Sequence, residues 1–150
     1  MNKRTLVIFC LGWLTSLVLA CCVAGHYYME FQRLTKTLEK YESCIIHVNI
    51  CINYKEWNNT IVWYNDTIVP LGCNLLDATK KVAVVNYTYW PAYQASFIDA
   101  INDVWNNNLY YWMWYRWVND KWEYGHCGAD LYILSEGEIL MWQYEIPKYS

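Results

Sequence analysis

The run Cys44-Ile45-Ile46-His47-Val48-Asn49-Ile50-Cys51-Ile52-Asn53-Tyr54 alternates in polarity. Cys44, Ile46, Val48, Ile50 and Ile52 fall on one side of an extended chain; His47, Asn49 and Asn53 fall on the other. A period of two with one apolar side is the signature of a half-buried strand. Lys55 to Asn59 reads as a polar turn, and Thr60 to Val69, rich in β-branched residues, as the returning strand of a hairpin. Pro70-Leu71-Gly72 breaks it. From Cys73 to Val84 the period changes: Leu75, Leu76, Thr79, Val82 and Ala83 fit a helix, with Asn74 placed to cap it.

Further along, Val84 to Trp90 is strand-like up to Pro91. Phe97, Ile98, Ile101, Val104 and Trp105 fit a helical period in a run that is short for a helix. Asn106-Asn107-Asn108 is a turn, Leu109 to Val118 an aromatic strand, and Asn119-Asp120 a second turn into a short return strand, Lys121 to Tyr124. Leu131 to Leu134, a Ser135-Glu136-Gly137 turn and Ile139 to Ile146 read as a closing hairpin. Two strands, one helix and then several strands define an α+β class with a β-grasp-like mixed sheet and one main helix.

The aromatic strand is unusual. Tyr110, Tyr111, Trp112, Trp114, Tyr115 and Trp117 fall close together. In a strand Tyr111, Met113, Tyr115 and Trp117 share one face, and Tyr110, Trp112, Trp114 and Arg116 the other. One face meets the core. The other lies under the helix, under another chain or against a ligand. The two readings are a sheet buried on both faces and an aromatic platform for a large flat or apolar ligand.

The chain has 150 residues, 56% apolar and 19% aromatic, which bounds it to one domain with a sizeable core. It opens Met1-Asn2-Lys3-Arg4, and Thr5 to Gly25 carries no charge. Residues 1–25 read as a cleaved signal peptide, or alternatively as an uncleaved anchor of a type II membrane protein, with residues 5–25 in the bilayer. Lys3 and Arg4 hold the N-terminus in the cytoplasm. Either reading places the rest outside the cytosol, as an extracellular, secreted or anchored protein. Residues 26–43 are a helical linker or stalk and residues 44–150 the domain. In the linker Tyr27, Phe31, Leu34, Leu38 and Tyr41 recur at spacings of 4, 3, 4 and 3. Two heptads fit a helix packed on the domain, or a membrane-proximal stalk that pairs two anchored copies.

Three sequons, starting at Asn58, Asn65 and Asn86, agree with export. Cysteine usage agrees too. Beyond the targeting segment stand Cys44, Cys51, Cys73 and Cys127, enough for two disulfides. Cys44 and Cys51, separated by about 23 Å in an extended strand, are expected to pair with Cys73 and Cys127 instead of each other. The acids are all C-terminal to the apolar run, while Lys3 and Arg4 precede it, so the exported part is acidic. No basic patch points to nucleic acid.

Nothing in the sequence carries catalysis. Nucleophile elbow, zinc-protease, P-loop and dinucleotide motifs are all absent. His47 sits on the polar side of a strand. His126 beside Cys127 lacks further ligands in sequence, and Asp99, Asp103 and Asp130 read as loop acids. The expectation is a protein that is not an enzyme and needs neither cofactor nor metal.

From Val69 onward the order of short pieces resembles the C-terminal β-domain of the cobalamin carriers, the family of intrinsic factor, transcobalamin and haptocorrin. The pieces are Val69 to Ala83 with its Leu75-Leu76-Asp77, then Ala95-Ser96-Phe97-Ile98-Asp99-Ala100-Ile101, then Tyr111-Trp112, then Gly128 with Tyr132, then Glu136-Gly137-Glu138. The resemblance covers about residues 44–146. It implies a non-enzymatic binder that covers one face of a corrin ring, with cobalamin as the ligand and Tyr93, Phe97, Trp112 and Trp114 stacking on it. The alternative is an adhesion or interaction module that meets an extracellular protein through the aromatic face. The sequence departs from the family pattern at Ala100, Asp103 and Trp114, and no counterpart of the carriers' helical barrel lies within its 150 residues. Partial cover of a ligand, with modest affinity, is therefore expected.

Overall fold

A computed structural model describes residues 2–147, with the side chains of all of these except 3 and 5–11. The chain divides into two compact units, Met1–Glu42 and Ser43–Ser150.

The first unit is one helix, α1 (Lys3–Glu42). The linker expected as a separate helix is continuous with the apolar run. No proline interrupts it, and Gly12 and Gly25 each cost only about 1 kcal/mol against alanine, too little to break so long a ladder. Its forty residues span roughly 60 Å at the α-helical rise, about twice a bilayer's hydrocarbon core. By length and composition it is able to cross a membrane.

In the second unit, strands β1 (Ile45–Asn53) and β2 (Ile61–Pro70) pair antiparallel around a single helical turn, α2 (Lys55–Asn58). Helix α3 (Leu75–Val82) follows, capped as expected: the Asn74 Oδ1 accepts from the Asp77 N–H at 2.8 Å, and the Asn74 amide donates to Asp77 Oδ2 at 3.1 Å. Strands β3 (Val85–Trp90), β4 (Ala95–Ile101) and β5 (Val104–Trp105) make a small antiparallel sheet. Strands β6 (Tyr111–Val118), β7 (Lys121–Tyr124) and β8 (Ile139–Glu145) complete the large one, in the order β2-β1-β8-β6-β7. All its pairings are antiparallel except β1 with β8. The class is α+β, with a mixed β-grasp-like sheet.

Two local expectations change. Phe97 to Trp105, which fits a helical period, is a β4–β5 hairpin. Asn102 and Asp103 take the left-handed conformation at φ 47° and 63°, the demand of a tight two-residue turn, and the Asn102 Oδ1 accepts from the Val84 N–H at 2.9 Å. The closing hairpin does not form. Residues 131–134 give their backbone to the head of α3 instead: Tyr132 O accepts from Leu75 N–H and Leu134 N–H donates to Cys73 O, at 3.0 and 2.9 Å. This frees β8 to take the sheet centre, where ladders with β1 and β6 satisfy both of its edges.

The core lies between the large sheet and α3, with the small sheet contributing. Ile46, Val48, Ile50 and Ile52 of β1, Leu75, Leu76 and Ala78 of α3, Trp112 and Trp114 of β6, and Leu140, Trp142 and Tyr144 of β8 form one cluster, joined by Ile98, Ile101 and Val104. Each large apolar side chain among them contributes about 1.5–3 kcal/mol by leaving water. Polar groups at its centre are answered: the Trp142 indole donates to Thr79 Oγ1 at 2.8 Å, and that hydroxyl donates to Leu75 O at 2.7 Å.

The cysteine pairing is corrected as well. Cys44, Cys51, Cys73 and Cys127 are all free thiols. Cys51 is buried in a small cluster with Tyr115 and Met141, whereas Cys73 and Cys127 pack against the main cluster. The two clusters use opposite faces of the strands, Cys51 standing between Ile50 and Ile52 in β1, so the sheet itself separates Cys51 from both proposed partners.

Candidate functional site

The strand that the sequence marks out, β6, presents its faces the other way round from the expected site. Trp112 and Trp114 are core residues, 5% and 6% exposed. The Trp112 indole donates to Val104 O at 2.8 Å, and its ring meets Tyr54 edge-on and Tyr144 at a tilt, with centroids 5.3 and 5.2 Å apart. The Trp114 indole donates to Cys127 O at 2.9 Å and its ring lies against Tyr132 at 4.7 Å. Both N–H groups are satisfied within the domain and neither ring is presented to a ligand. The expectation that they stack on one is therefore corrected. The physical reason is parity: the even-numbered side chains of β6 point to α3 and its cluster.

Within the second unit, no described element packs over the odd-numbered face as α3 does over the other. Tyr111, Trp117, Tyr124 and Trp63 are between 37% and 46% exposed, while Cys51, Tyr115 and Met141 are buried among them. Tyr115 meets Tyr124 edge-on at 5.5 Å, and its hydroxyl donates to Glu145 Oε1. Burial and the neighbouring carboxylate raise the Tyr115 phenol well above the ordinary tyrosine range. Trp117 and Trp122 stand opposite each other in the β6–β7 register with ring centroids 5.1 Å apart. The aromatic platform thus exists, built from neighbours of the expected residues.

Tyr93 and Phe97 are brought together. Pro91 opens the turn after β3, Tyr93 N–H donates to Trp90 O, and Gln94 adopts a left-handed φ of 49° to enter β4. The Tyr93 and Phe97 rings then meet at 5.8 Å, 68% and 50% exposed. Thr88 pairs with Phe97 across the β3–β4 ladder, and its hydroxyl lies 2.7 Å from Asp99 Oδ2, so Thr88, Phe97 and Asp99 share one face. Trp90, two residues along from Thr88, continues that face and is 51% exposed. Sequence reasoning overlooked Trp90; the hairpin alternation around Pro91, had it been read, would have found it. Tyr93 and Phe97 are the exposed part of the expected site, and with Trp90 they make an apron of three rings edged by a hydroxyl and a carboxylate. It is equipped for stacking and hydrogen bonding.

Other expected positions are plain. Asn58 and Asn65 are exposed and Asn86 is partly exposed, so all three sequons are reachable from solvent. Asp130 Oδ2 accepts from the Ser96 N–H at 2.9 Å, and His47 faces Glu136 at 3.4 Å. No group of three or more His, Cys, Asp or Glu among the described residues is placed to hold a metal ion.

The fold and the apron together define an α+β domain that offers aromatic surface on both of its sheets. Among solved structures it is similar to haptocorrin in complex with Cbi, with a TM-score of 0.55 at 20% identity over 69% of this chain. It is also similar, with a TM-score of 0.49 at 11% identity over 69% of the chain and 99% of the other, to a structure from Ruminococcus gnavus ATCC 29149 described as metal binding. The likeness to haptocorrin shows a shared fold. The chain accounts for 26% of haptocorrin's length. No protein-family model matches the chain. No curated protein matches it in sequence.

Proposed function

We propose that this is an extracellular, non-enzymatic binding domain that lays the Trp90–Tyr93–Phe97 apron against one face of a flat, largely apolar small molecule, with a corrinoid such as cobalamin as the ligand. The observation that carries the reading is the exposed pair Tyr93–Phe97 on the β3–β4 hairpin, in a domain whose fold is shared with a protein crystallised with Cbi. Rings held at a hairpin contribute area at little entropic cost. Asp99 and Thr88 supply polar contacts at the rim. No step of chemistry is involved.

The test is a titration of the full chain in detergent micelles with hydroxocobalamin, following corrin absorbance and tryptophan fluorescence. Saturable quenching is expected, weakened about fivefold in Phe97→Ala by the loss of roughly 1 kcal/mol of stacking. Absence of any change at high micromolar ligand overturns the reading. The exposed rings Tyr111, Trp117, Tyr124 and Trp63 favour a second one, in which the open face of the large sheet meets an extracellular protein. A partner captured by the wild type and lost in Trp117→Lys, with corrinoid binding absent, would support it.

A further inference from the structure

The continuity of α1 changes the meaning of its apolar stripe. Tyr27, Phe31, Leu34, Leu38 and Tyr41 span two heptads, too few to argue for a coiled coil. Because Lys3–Glu42 is a single helix, the same register runs back without a break through Ala24, Ala20, Leu17 and Trp13. The spacings alternate 4 and 3 throughout, so one register covers four heptads; the apolar run is apolar on its other faces too, and there the two alanines mark the seam. Its large members, Trp13, Leu17, Tyr27, Phe31, Leu34, Leu38 and Tyr41, are all between 60% and 72% exposed. Where the two alanines fall, the small side chains leave a groove along the helix lined by Ser16, Ala20, Val23 and Ala24, with Thr15 and Leu19. Beyond the apolar run, Gln32, Arg33, Lys36, Glu39 and Lys40 all lie off the seam.

We propose that α1 is a two-stranded parallel dimerisation helix and that the occupant of this seam is α1 of a second copy. Three observations select that occupant. Lys3 and Arg4 precede the apolar run in every copy, so two chains enter a bilayer with the same orientation and present the seam in parallel register. In that register Glu30 stands opposite Thr35 of the other copy, and Thr37 opposite Glu42, so no like charges meet at the flanks. The area suffices. With roughly 100 Å² covered at each of the seven large seam residues, from lipid at Trp13 and Leu17 and from water at the other five, the pair buries on the order of 1,400 Å², within the range of specific interfaces. The five residues from Tyr27 to Tyr41 supply about 1,000 Å² of this, at the lower limit for a stable contact. The inference is independent of the ligand reading, and a dimer would present two aprons from one stalk.

The experiment is the mass of the full chain in detergent micelles, by light scattering with the detergent contribution subtracted, together with chemical cross-linking in bilayer vesicles. The wild type is expected to be a dimer. Leu34→Lys combined with Leu38→Lys is expected to weaken dimerisation at least tenfold, with near-UV circular dichroism unchanged as a check that the domain remains folded. Lys36→Glu, on the far side of the helix, is expected to leave the dimer intact. A monomeric wild type at tens of micromolar overturns the proposal. So does a dimer that survives the double lysine variant, or a mature protein that has lost residues 1–25 and is monomeric.

Discussion

Replacing Gly125 by alanine tests whether Trp114 belongs to the core or to a binding surface. A Cβ at this position would sit 2.0 Å from Trp114 Cε2, 2.3 Å from Cδ2 and 2.5 Å from Cζ2. Carbon atoms prefer about 3.5–4.0 Å, so the indole would have to retreat by roughly 1.5 Å. It has nowhere to go: Tyr132 packs on the ring at 4.7 Å, and the hydrogen bond to Cys127 O fixes the indole edge. Overpacking of this kind costs about 1–3 kcal/mol, and loss of the indole hydrogen bond adds about 1. The expected loss is therefore about 2–4 kcal/mol, a large share of a domain's usual stability. The opposite sign is the natural alternative, because glycine to alanine at an unstrained position stabilises by about 0.4–1 kcal/mol through the unfolded chain. The assay is urea unfolding of wild type, Gly125→Ala, Trp114→Leu and the double variant. Once the indole is gone, the extra methyl should cost less than about 1 kcal/mol, giving a coupling above 1 kcal/mol between the two positions. A neutral or stabilising Gly125→Ala, or costs that simply add, would refute the close packing of Trp114 and restore it as a candidate ligand contact.

Three further predictions concern the thiols and the helix cap. Cys44, which is exposed, should react with a thiol reagent in the folded protein, whereas Cys51 should react only on unfolding; equal rates would contradict its burial beneath Tyr115 and Met141. Burial pushes the Cys51 thiol up to about 11, so its contribution to stability is complete below the ordinary thiol range near pH 9 and is lost as pH rises towards 11. Unfolding free energy measured from pH 8 to 11 should fall for the wild type, and fall less for Cys51→Ala. Asn74→Ala should destabilise by about 1 kcal/mol through the Asp77 N–H it leaves unpaired, with Asn74→Ser recovering most of the loss; an unchanged urea midpoint in Asn74→Ala would remove the cap from the account.

Local pattern and global arrangement were legible to different degrees. The alternation from Cys44 to Tyr54, the capped helix after Asn74 and the Asn119-Asp120 turn each depend on neighbours in sequence, and each appears close to where it was expected. The partner of Ile139 to Glu145 does not depend on neighbours. A run apolar on both faces is compatible with a hairpin or a central strand, and only the competing claim of α3 on residues 131–134 decides between them. The Trp112 and Trp114 half of the candidate site turned inward for a related reason. Alternation separates Trp112 and Trp114 from Tyr111 and Tyr115 but is silent on which set turns inward, since both are aromatic. Tyr93 and Phe97 were placed by resemblance, while Trp90 fell outside it because the β3–β4 turn was unread.

The parallel pairing of β1 with β8 has a consequence for how the domain comes into being. Asn53 and Gln143, hydrogen-bonded at 3.1 Å, are 90 positions apart, and the other strands lie between them in the chain. The first strand to emerge during synthesis occupies a place beside the sheet's centre that only the last strand can complete. Until then β1 carries an open edge, and Trp142, the keystone over Thr79, is missing. Completion of the sheet accordingly waits for the last strand, and until it arrives the unfinished edge of β1 is open to non-native pairing.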